Sequence, residues 1–284
     1  MEKLIGLLGY PLGHTMSPLI HNDAFASLDI PASYHAFEVH PNHLEEAITG
    51  IRALNLAGCN VTIPHKVAVM AYLDHIDDEA LAIGAVNTIV NRAGKLMGYN
   101  TDGRGYYESL IQTFCGHEHL ADKRVLIIGA GGAARAIVTV FAREKAGAIC
   151  IANRTMEKAE RLANLQKHTE ADIEAVTLVT ASEQVESFDI IINTTSVGMS
   201  PNQSESPLAL SRLKSQAIVS DLIYNPIETK LLREAKLAGA RTLDGVGMFV
   251  NQGALSFEYW TGQKPDRERM RQLVYEELGG KKRC

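Results

Sequence analysis

Lys66 and Asp102 are the two residues of this chain best suited to move a proton to and from an alcohol, and Gly129-Ala130-Gly131-Gly132-Ala133-Ala134 is the stretch suited to a dinucleotide. Oxidation of a carbinol by a nicotinamide requires a group that takes the hydroxyl proton as hydride leaves. Each of the two falls at a turn after an expected strand, where α/β proteins place ligands. Taken alone, the pair also fits two unrelated surface charges, since lysine and aspartate are usually exposed. The histidines compete poorly. His14 and His21 lie near the first loop, but His21 falls inside an expected helix and reads as core or rim.

The glycine stretch draws its meaning from what flanks it. Val125 to Ile128 is an all-apolar run, right for a strand buried on both faces. Residues 133–144 alternate at helical spacing, and Ala148 to Ala152 reads as a second strand. Strand, G-x-G-x-x-A turn, helix and strand together span about 30 residues, the context of a dinucleotide fingerprint. Gly129 allows a sharp turn, Gly131 lets a pyrophosphate approach the backbone, and Ala134 keeps the helix close to the sheet. The phosphates would sit on the free N–H groups at the helix start, where the peptide dipoles favour an anion. The alternative is a glycine-rich turn that binds nothing.

The tip of the second strand selects the cofactor. NAD-binding folds usually carry a carboxylate there for the ribose 2′-hydroxyl. This chain has Asn153-Arg154-Thr155, with Lys158 one helical turn beyond. No carboxylate repels a 2′-phosphate and two cations attract one, so NADP is expected over NAD. The competing reading leaves Arg154 as a solvated surface residue.

These residues need a scaffold, and 284 residues suggest about two domains. With 46% hydrophobic and 21% charged residues, the chain can bury substantial cores without metal or disulfides. A net charge of −5 and the lack of a basic stripe argue against nucleic-acid or anionic-membrane surfaces. Met1 to His14 does not read as an export signal, and no run approaches the ~18 apolar residues of a membrane span. Cys59, Cys115, Cys150 and Cys284 are widely spaced and read as reduced thiols of a cytoplasmic protein. His117 and His119 bracket Glu118 in a polar connector without a third ligand in view, so no metal is expected.

In chain order, strands are expected at residues 3–9, Tyr34 to Glu38 and Gly58 to Ile63, with a hairpin of 86–90 and 96–99. Helices are expected from Ser17-Pro18 to Leu28, with Ser17 as N-cap, then over 42–54, 65–73 and 103–114. The second half continues with strands near 174–179, 189–193 and 217–221 and helices near 155–167 and 227–238. Thr194 to Met199, Ser196 included, forms a small-residue loop suited to lie against the nicotinamide ribose. Helices over 247–260 and 266–278 close the chain.

One family shows these features together. Gly9-Tyr10-Pro-Leu-Gly-His-Thr15-Met-Ser17-Pro18, Asn60-Val-Thr62-Ile-Pro-His-Lys66, Gly84-Ala-Val-Asn87-Thr88 and Gly98-Tyr-Asn100-Thr101-Asp102-Gly103 strongly resemble the shikimate dehydrogenases. So do Gly129 to Ala133, Asn153 to Thr155, Asn193 to Met199, Asp221-Leu222-Ile-Tyr224-Asn-Pro226 and Asp244-Gly245-Val-Gly247-Met248-Phe-Val-Asn-Gln252-Gly253. The likeness runs in order through nearly the whole chain.

The resemblance implies an α/β protein with an N-terminal α/β substrate domain and a Rossmann-type doubly wound NADP-binding domain, the active site lying in the interdomain cleft. The expected boundaries are 1–103 for the substrate domain, with helices 248–284 packing back onto it, and 104–247 for the cofactor domain. It further implies that Lys66 is the general acid/base and that Asp102 hydrogen-bonds the substrate and Lys66. Thr15, Ser17 and Tyr224 would hold the substrate carboxylate, and Thr62, Asn87 and Gln252 the ring hydroxyls. Gly129, Ala130, Gly131, Gly132 and Ala133 would bind the pyrophosphate. Asn153, Arg154, Thr155 and Lys158 would surround the 2′-phosphate, with Thr194, Ser196, Leu222, Gly245 and Met248 on the nicotinamide side.

The implied reaction is reversible reduction of 3-dehydroshikimate by NADPH, on the route to chorismate and the aromatic amino acids, by a monomer or homodimer. Thr15 and Tyr10 depart from the usual shikimate pattern of serine and asparagine, and Tyr10 points toward the quinate/shikimate branch. A quinate/shikimate dehydrogenase using NAD or NADP is therefore the near alternative. A catalytically silent nicotinamide-binding regulator is the alternative of another class, and intact Lys66, Asp102 and Asn87 count against it. A dehydrogenase acting on a folate or a tRNA-bound acyl group lacks support: there is no basic surface for tRNA, and the substrate loops match a sugar-acid pocket.

Overall fold

A computed structural model describes residues 2–13, 15–114, 120–166, 169, 171–210 and 212–279. His14, Cys115, the His117-Glu118-His119 cluster and Cys284 lie outside the described residues. The chain divides into two compact units, one formed by residues up to Asp102 and from Val250 onward, the other by Gly103–Phe249.

The first unit is built on strands β1 (Lys3–Gly9), β2 (Ala32–Glu38), β3 (Gly58–Val61), β4 (His75–Ile76), β5 (Thr88–Arg92) and β6 (Lys95–Tyr99), with helices α1 (Ser17–Ser27), α2 (Leu44–Ala53) and α3 (Asp78–Ile83). Their sheet runs β2-β1-β3-β5-β6-β4. β1 is parallel to β2 and β3, whereas β5 is antiparallel to both β3 and β6. The carboxyl ends of β1, β3 and β6 and the amino end of β5 therefore share one edge, where the loops carrying Thr15, Thr62, Lys66, Asn87 and Asp102 begin or end. Leu8, Ile48, Ile51, Val61, Val86 and Ile89 pack among the core residues of this unit.

The second unit holds α4 (Asp102–Thr113), which starts one residue before the division, and β7 (Arg124–Ile128), α5 (Gly132–Arg143), β8 (Ala148–Ala152), α6 (Met156–Leu165), β9 (Asp172–Val176), α7 (Leu178–Glu183), β10 (Ile190–Asn193), β11 (Ile218–Asp221), α8 (Lys230–Leu237) and β12 (Arg241–Leu243). All five strand pairings are parallel, in the order β12-β11-β10-β7-β8-β9. That is the doubly wound dinucleotide-binding order, reversing between β7 and β10. Alternate residues feed two cores: Val125, Ile127, Ile149 and Ile151 enter one, and Leu126, Ile128, Cys150 and Ala152 the other. A sheet covered on both faces explains the unbroken apolar runs read in the sequence.

Helix α9 (Val246–Thr261) gives its residues from Val250 to the first unit, followed there by α10 (Arg267–Glu277). Phe257 stacks on Phe25 at 4.9 Å, Trp260 donates its indole N–H to the Ile89 carbonyl at 3.0 Å, and Arg269 grips Asp23 with two hydrogen bonds. No helix among the described residues is long and apolar enough to cross a membrane.

Several expected elements differ. No α-helix forms over 65–73: turns lead into a 3-10 helix at Ala68–Tyr72, because the Lys66 carbonyl accepts from the Val86 N–H instead of from its own helix. Ser17 is not the N-cap of α1. Met16 takes that place without a side-chain hydrogen bond, and the Ser17 N–H donates to Thr15 Oγ1 at 3.3 Å. The strand expected at 174–179 ends at Val176, since Thr177 caps α7 by accepting from the Thr180 N–H. Likewise α8 begins at Lys230, behind the cap of Thr229. β4, α3, α7 and β12 are not among the elements expected from the sequence; α3 is held by an Asp77 cap and a left-handed Gly84.

Candidate active site

Thr62, Lys66, Asn87 and Asp102 are each placed by the end of a strand. Lys66 reaches from the turn after β3, and Asp102 is the first residue of α4, just after β6. Lys66 Nζ donates to Asp102 Oδ2 at 2.7 Å, and the carboxylate is almost fully buried while the lysine head keeps 17% of its exposure. The helix start expected beneath Lys66 lies beneath Asp102 instead, so the anion sits at the positive end of a helix.

Asn87, just before β5, donates from its amide to Asp102 Oδ1 and to Thr101 Oγ1, both at 2.9 Å. Its Oδ1 accepts from the Thr101 N–H and from the Thr88 hydroxyl, also at 2.9 Å. Gln252 of α9 stands at the edge of this group, its Oε1 3.5 Å from the Asn87 amide nitrogen and its backbone carbonyl accepting from Thr101 Oγ1 at 3.0 Å. Thr15 Oγ1 donates to Ser17 Oγ at 3.2 Å, bringing two hydroxyls together in front of α1. Thr62 follows β3 directly, its N–H donating to the Leu8 carbonyl. Tyr10 meets His40 edge to face at 4.9 Å. The unit thus presents an amine–carboxylate pair with neutral hydroxyl and amide groups on adjoining strand ends. That chemistry suits a small polyhydroxy acid, and such a site rejects analogues that leave its polar groups unpaired.

Behind these residues runs a buried polar chain that no motif spacing in the sequence marks. Tyr34 donates to Asn60 Oδ1 at 2.8 Å; the Asn60 amide reaches the Asn87 carbonyl, Thr88 Oγ1 and Ser256 Oγ at 3.0–3.2 Å. Tertiary pairing brings these groups together: Asn60 and Thr88 are directly opposite across β3 and β5, and Ser256 lies four residues after Gln252 on α9. His21 is wholly buried, stacked on Tyr34 at 4.5 Å, and burial pushes its imidazole down to about 3, consistent with core rather than chemistry.

In the second unit the glycine turn follows β7 at the point where strand order reverses. Gly129 has φ +118°, a conformation that disfavours any side chain, and a Cβ there would strike Thr194. Gly131 is the N-cap of α5; no side chain caps the helix, and nothing lies within 4 Å of where its Cβ would be. An exposed, uncapped helix start with open space over its first peptide fits a pyrophosphate. Ala130 and Ala133 are partly exposed beside it, whereas Ala134 is fully buried against the sheet. Thr194 donates to the Ile128 carbonyl at 2.7 Å, and Ser196 is exposed.

Arg154, Thr155 and Lys158 are exposed at the tip of β8, with no ion pair to Arg154 or Lys158 among the described residues. Asn153 donates to the Thr155 carbonyl at 2.8 Å, shaping that tip. Two exposed cations, with no carboxylate at the strand end itself and Glu157 in the first turn of α6, fit a phosphate on the adenosine ribose. Leu222 and Gly245 pack on one another so closely that a Cβ on Gly245 would overlap the Leu222 carbonyl, and Met248 is buried in the core. Tyr224 belongs to this unit and stacks on Phe249 at 4.5 Å.

Asp221, one of the motif residues, ends β11 and is buried. Its carboxylate accepts from Asn193 Nδ2, the Ile223 N–H and the Thr229 hydroxyl, yet burial outweighs them and pushes it up to about 6. Cys59 and Cys150 are free thiols, both buried. Among the described residues no group of His, Cys, Asp and Glu could hold a metal ion.

Three family models cover the chain in succession: the shikimate dehydrogenase substrate binding domain matches residues 7–89, the shikimate / quinate 5-dehydrogenase model 110–223, and the shikimate 5′-dehydrogenase C-terminal domain 245–275. The shikimate dehydrogenase (NADP(+)) of Geobacillus kaustophilus is 55% identical over 278 residues, covering 98% of this chain and 99% of that protein. The shikimate dehydrogenase (NADP(+)) of Bacillus subtilis is 51% identical over 282 residues, covering 99% of each. The crystal structure of shikimate 5-dehydrogenase from Thermus thermophilus in complex with NADP(H) and shikimate superposes with a TM-score of 0.87 at 34% identity, covering 97% of this chain and all of that one.

Proposed function

The chain belongs to the shikimate dehydrogenase family, and we propose on that premise that it interconverts shikimate and 3-dehydroshikimate with NADP, on the route to chorismate and the aromatic amino acids. The observation that carries the reading is the 2.7 Å contact of Lys66 with Asp102, set among neutral hydroxyl and amide groups on one sheet edge.

Bound NADP supplies the hydride acceptor, and NADPH the donor, at the nicotinamide ring. The chain's own residues do the rest. Lys66 Nζ takes the proton of the reacting hydroxyl when shikimate is oxidised and returns it when the ketone is reduced. Asp102 keeps Lys66 oriented through Oδ2 and offers the same carboxylate to the hydroxyl. Thr15, Ser17 and Tyr224 donate their hydroxyls to the substrate carboxylate, and Thr62, Asn87 and Gln252 bind the ring hydroxyls. The turn from Gly129 to Ala133 holds the pyrophosphate, while Asn153, Arg154, Thr155 and Lys158 hold the 2′-phosphate. Thr194, Ser196, Leu222, Gly245 and Met248 stand on the nicotinamide side. We assign residues 1–103 with 248–284 to substrate and 104–247 to cofactor, in a cytoplasmic enzyme that is a monomer or homodimer.

The test is kcat/KM for shikimate and for quinate, each with NADP and with NAD. Shikimate with NADP should exceed each other combination by roughly tenfold or more, the low end of what a shaped pocket discriminates. A preference for quinate with NAD would replace this reading by the quinate/shikimate one. Binding of NADP without turnover on either acid would leave a silent regulator.

A further inference from the structure

The Asn87 amide can face Asp102 in two ways that differ little in shape, because its nitrogen and oxygen are nearly the same size. Only one of them serves. With the nitrogen toward Asp102 Oδ1 the contact is a donor on a carboxylate at 2.9 Å; turned over, it would set oxygen against oxygen. Packing cannot choose between the two, so hydrogen bonds must.

Three donors lie within reach of Asn87 Oδ1: the Thr101 backbone N–H and the Thr88 hydroxyl, each at 2.9 Å, and the Thr101 hydroxyl at 3.3 Å, which has a nearer acceptor in the Gln252 carbonyl at 3.0 Å. The second is a side chain with a pedigree of its own. Thr88 is fully buried, and its oxygen accepts from the Asn60 amide at 3.2 Å, which leaves its proton for Asn87 Oδ1 or Ser256 Oγ. Ser256 has an acceptor in the Gln252 carbonyl at 3.0 Å, so it can spend its own proton there and leave that of Thr88 for Asn87. Asn60 is held the right way round by the Tyr34 hydroxyl on its Oδ1. Tyr34, Asn60, Thr88, Asn87 and Asp102 thus form one buried, directional series that ends on the partner of Lys66.

We propose that Thr88 is a positioning residue for the reaction: its hydroxyl fixes which end of the Asn87 amide faces Asp102, and thereby holds the carboxylate that orients Lys66. The inference rests on the functional reading above. Buried polar series of this kind specify one arrangement when every member is satisfied.

Steady-state kinetics of the full-length chain test it. Thr88→Val keeps the shape and deletes the hydroxyl, and should lower kcat for shikimate oxidation roughly 5- to 20-fold, the weight of one buried hydrogen bond. KM for shikimate and NADP should stay within about twofold, and Thr88→Ser should restore most of the loss. A folded Thr88→Val with wild-type kcat overturns the proposal, as does a joint change of kcat and KM that Thr88→Ser leaves uncorrected. If Thr88→Val does not fold, Tyr34→Phe carries the same test from the far end of the series, and an unchanged kcat there overturns it. Absence of turnover in the unsubstituted protein would instead sink the functional reading, and this inference with it.

Discussion

Lys66 and Asp102, 36 residues apart in sequence, meet at 2.7 Å, and the helix that begins at Asp102 points its positive end at their shared carboxylate. The relationship sorts the roles. Asp102, tied by Lys66, Asn87 and the first turn of α4, is the fixed member, whereas the lysine head on its flexible stem is the partly exposed one that can follow a substrate proton.

Cofactor choice should reside in the tip of β8. Arg154→Asp replaces an exposed cation, without an ion pair among the described residues, by the carboxylate that NAD-binding folds carry there. It should lower kcat/KM for NADP by roughly 10²-fold and change that for NAD by less than about threefold, as measured by initial rates with each cofactor. An unchanged preference would remove Arg154 from the 2′-phosphate site.

Gly131→Val separates stability from cofactor affinity. The backbone there is extended and nothing lies within 4 Å of the new Cβ, so the side chain has room in the free protein. Thermal unfolding should shift by no more than about 4 °C, while KM for NADP should rise roughly tenfold because the pyrophosphate loses its approach to the helix start. Equal KM values would show that the phosphates bind elsewhere.

The glycine turn and both parallel-sheet cores were legible because buried strands announce themselves as apolar runs and the turn requires Gly129. Lys66 and Asp102 were legible as ends of strands, though not their distance. Other features depended on contacts that no local pattern encodes. The helix expected at 65–73 fails because Val86 captures the Lys66 carbonyl, and Thr177 reads as one more β-branched strand residue until it caps α7. Thr88 and Ser256 look like ordinary core positions, and only the pairing of β3 with β5 and the approach of α9 give them a common partner in Asn60. For α3 the signal was present, an Asp77 cap and a closing Gly84, in a segment too short for periodicity to show.

Asp221 should leave a mark on the pH dependence of stability. Its carboxyl sits at about 6 in the folded chain, above an unfolded value near 3.9, so the native state holds its proton over a window where the unfolded state has released it. Its contribution therefore falls as pH rises from about 4 to about 6, and the penalty persists above that. Denaturant unfolding of Asp221→Asn and the unsubstituted protein should differ by an amount that changes by on the order of 2 kcal/mol between pH 4 and pH 7. A difference independent of pH would mean that Asp221 ionises as a solvated carboxylate does.

The most direct test of the account is Lys66→Met, read as kcat at saturating shikimate and NADP together with the Kd for shikimate by calorimetry. Proton transfer through Lys66 requires kcat to fall by roughly 10²-fold or more while Kd changes by less than about tenfold, since the neutral groups around the ring remain. A folded Lys66→Met that binds shikimate and turns it over at the unsubstituted rate would contradict the account at its centre.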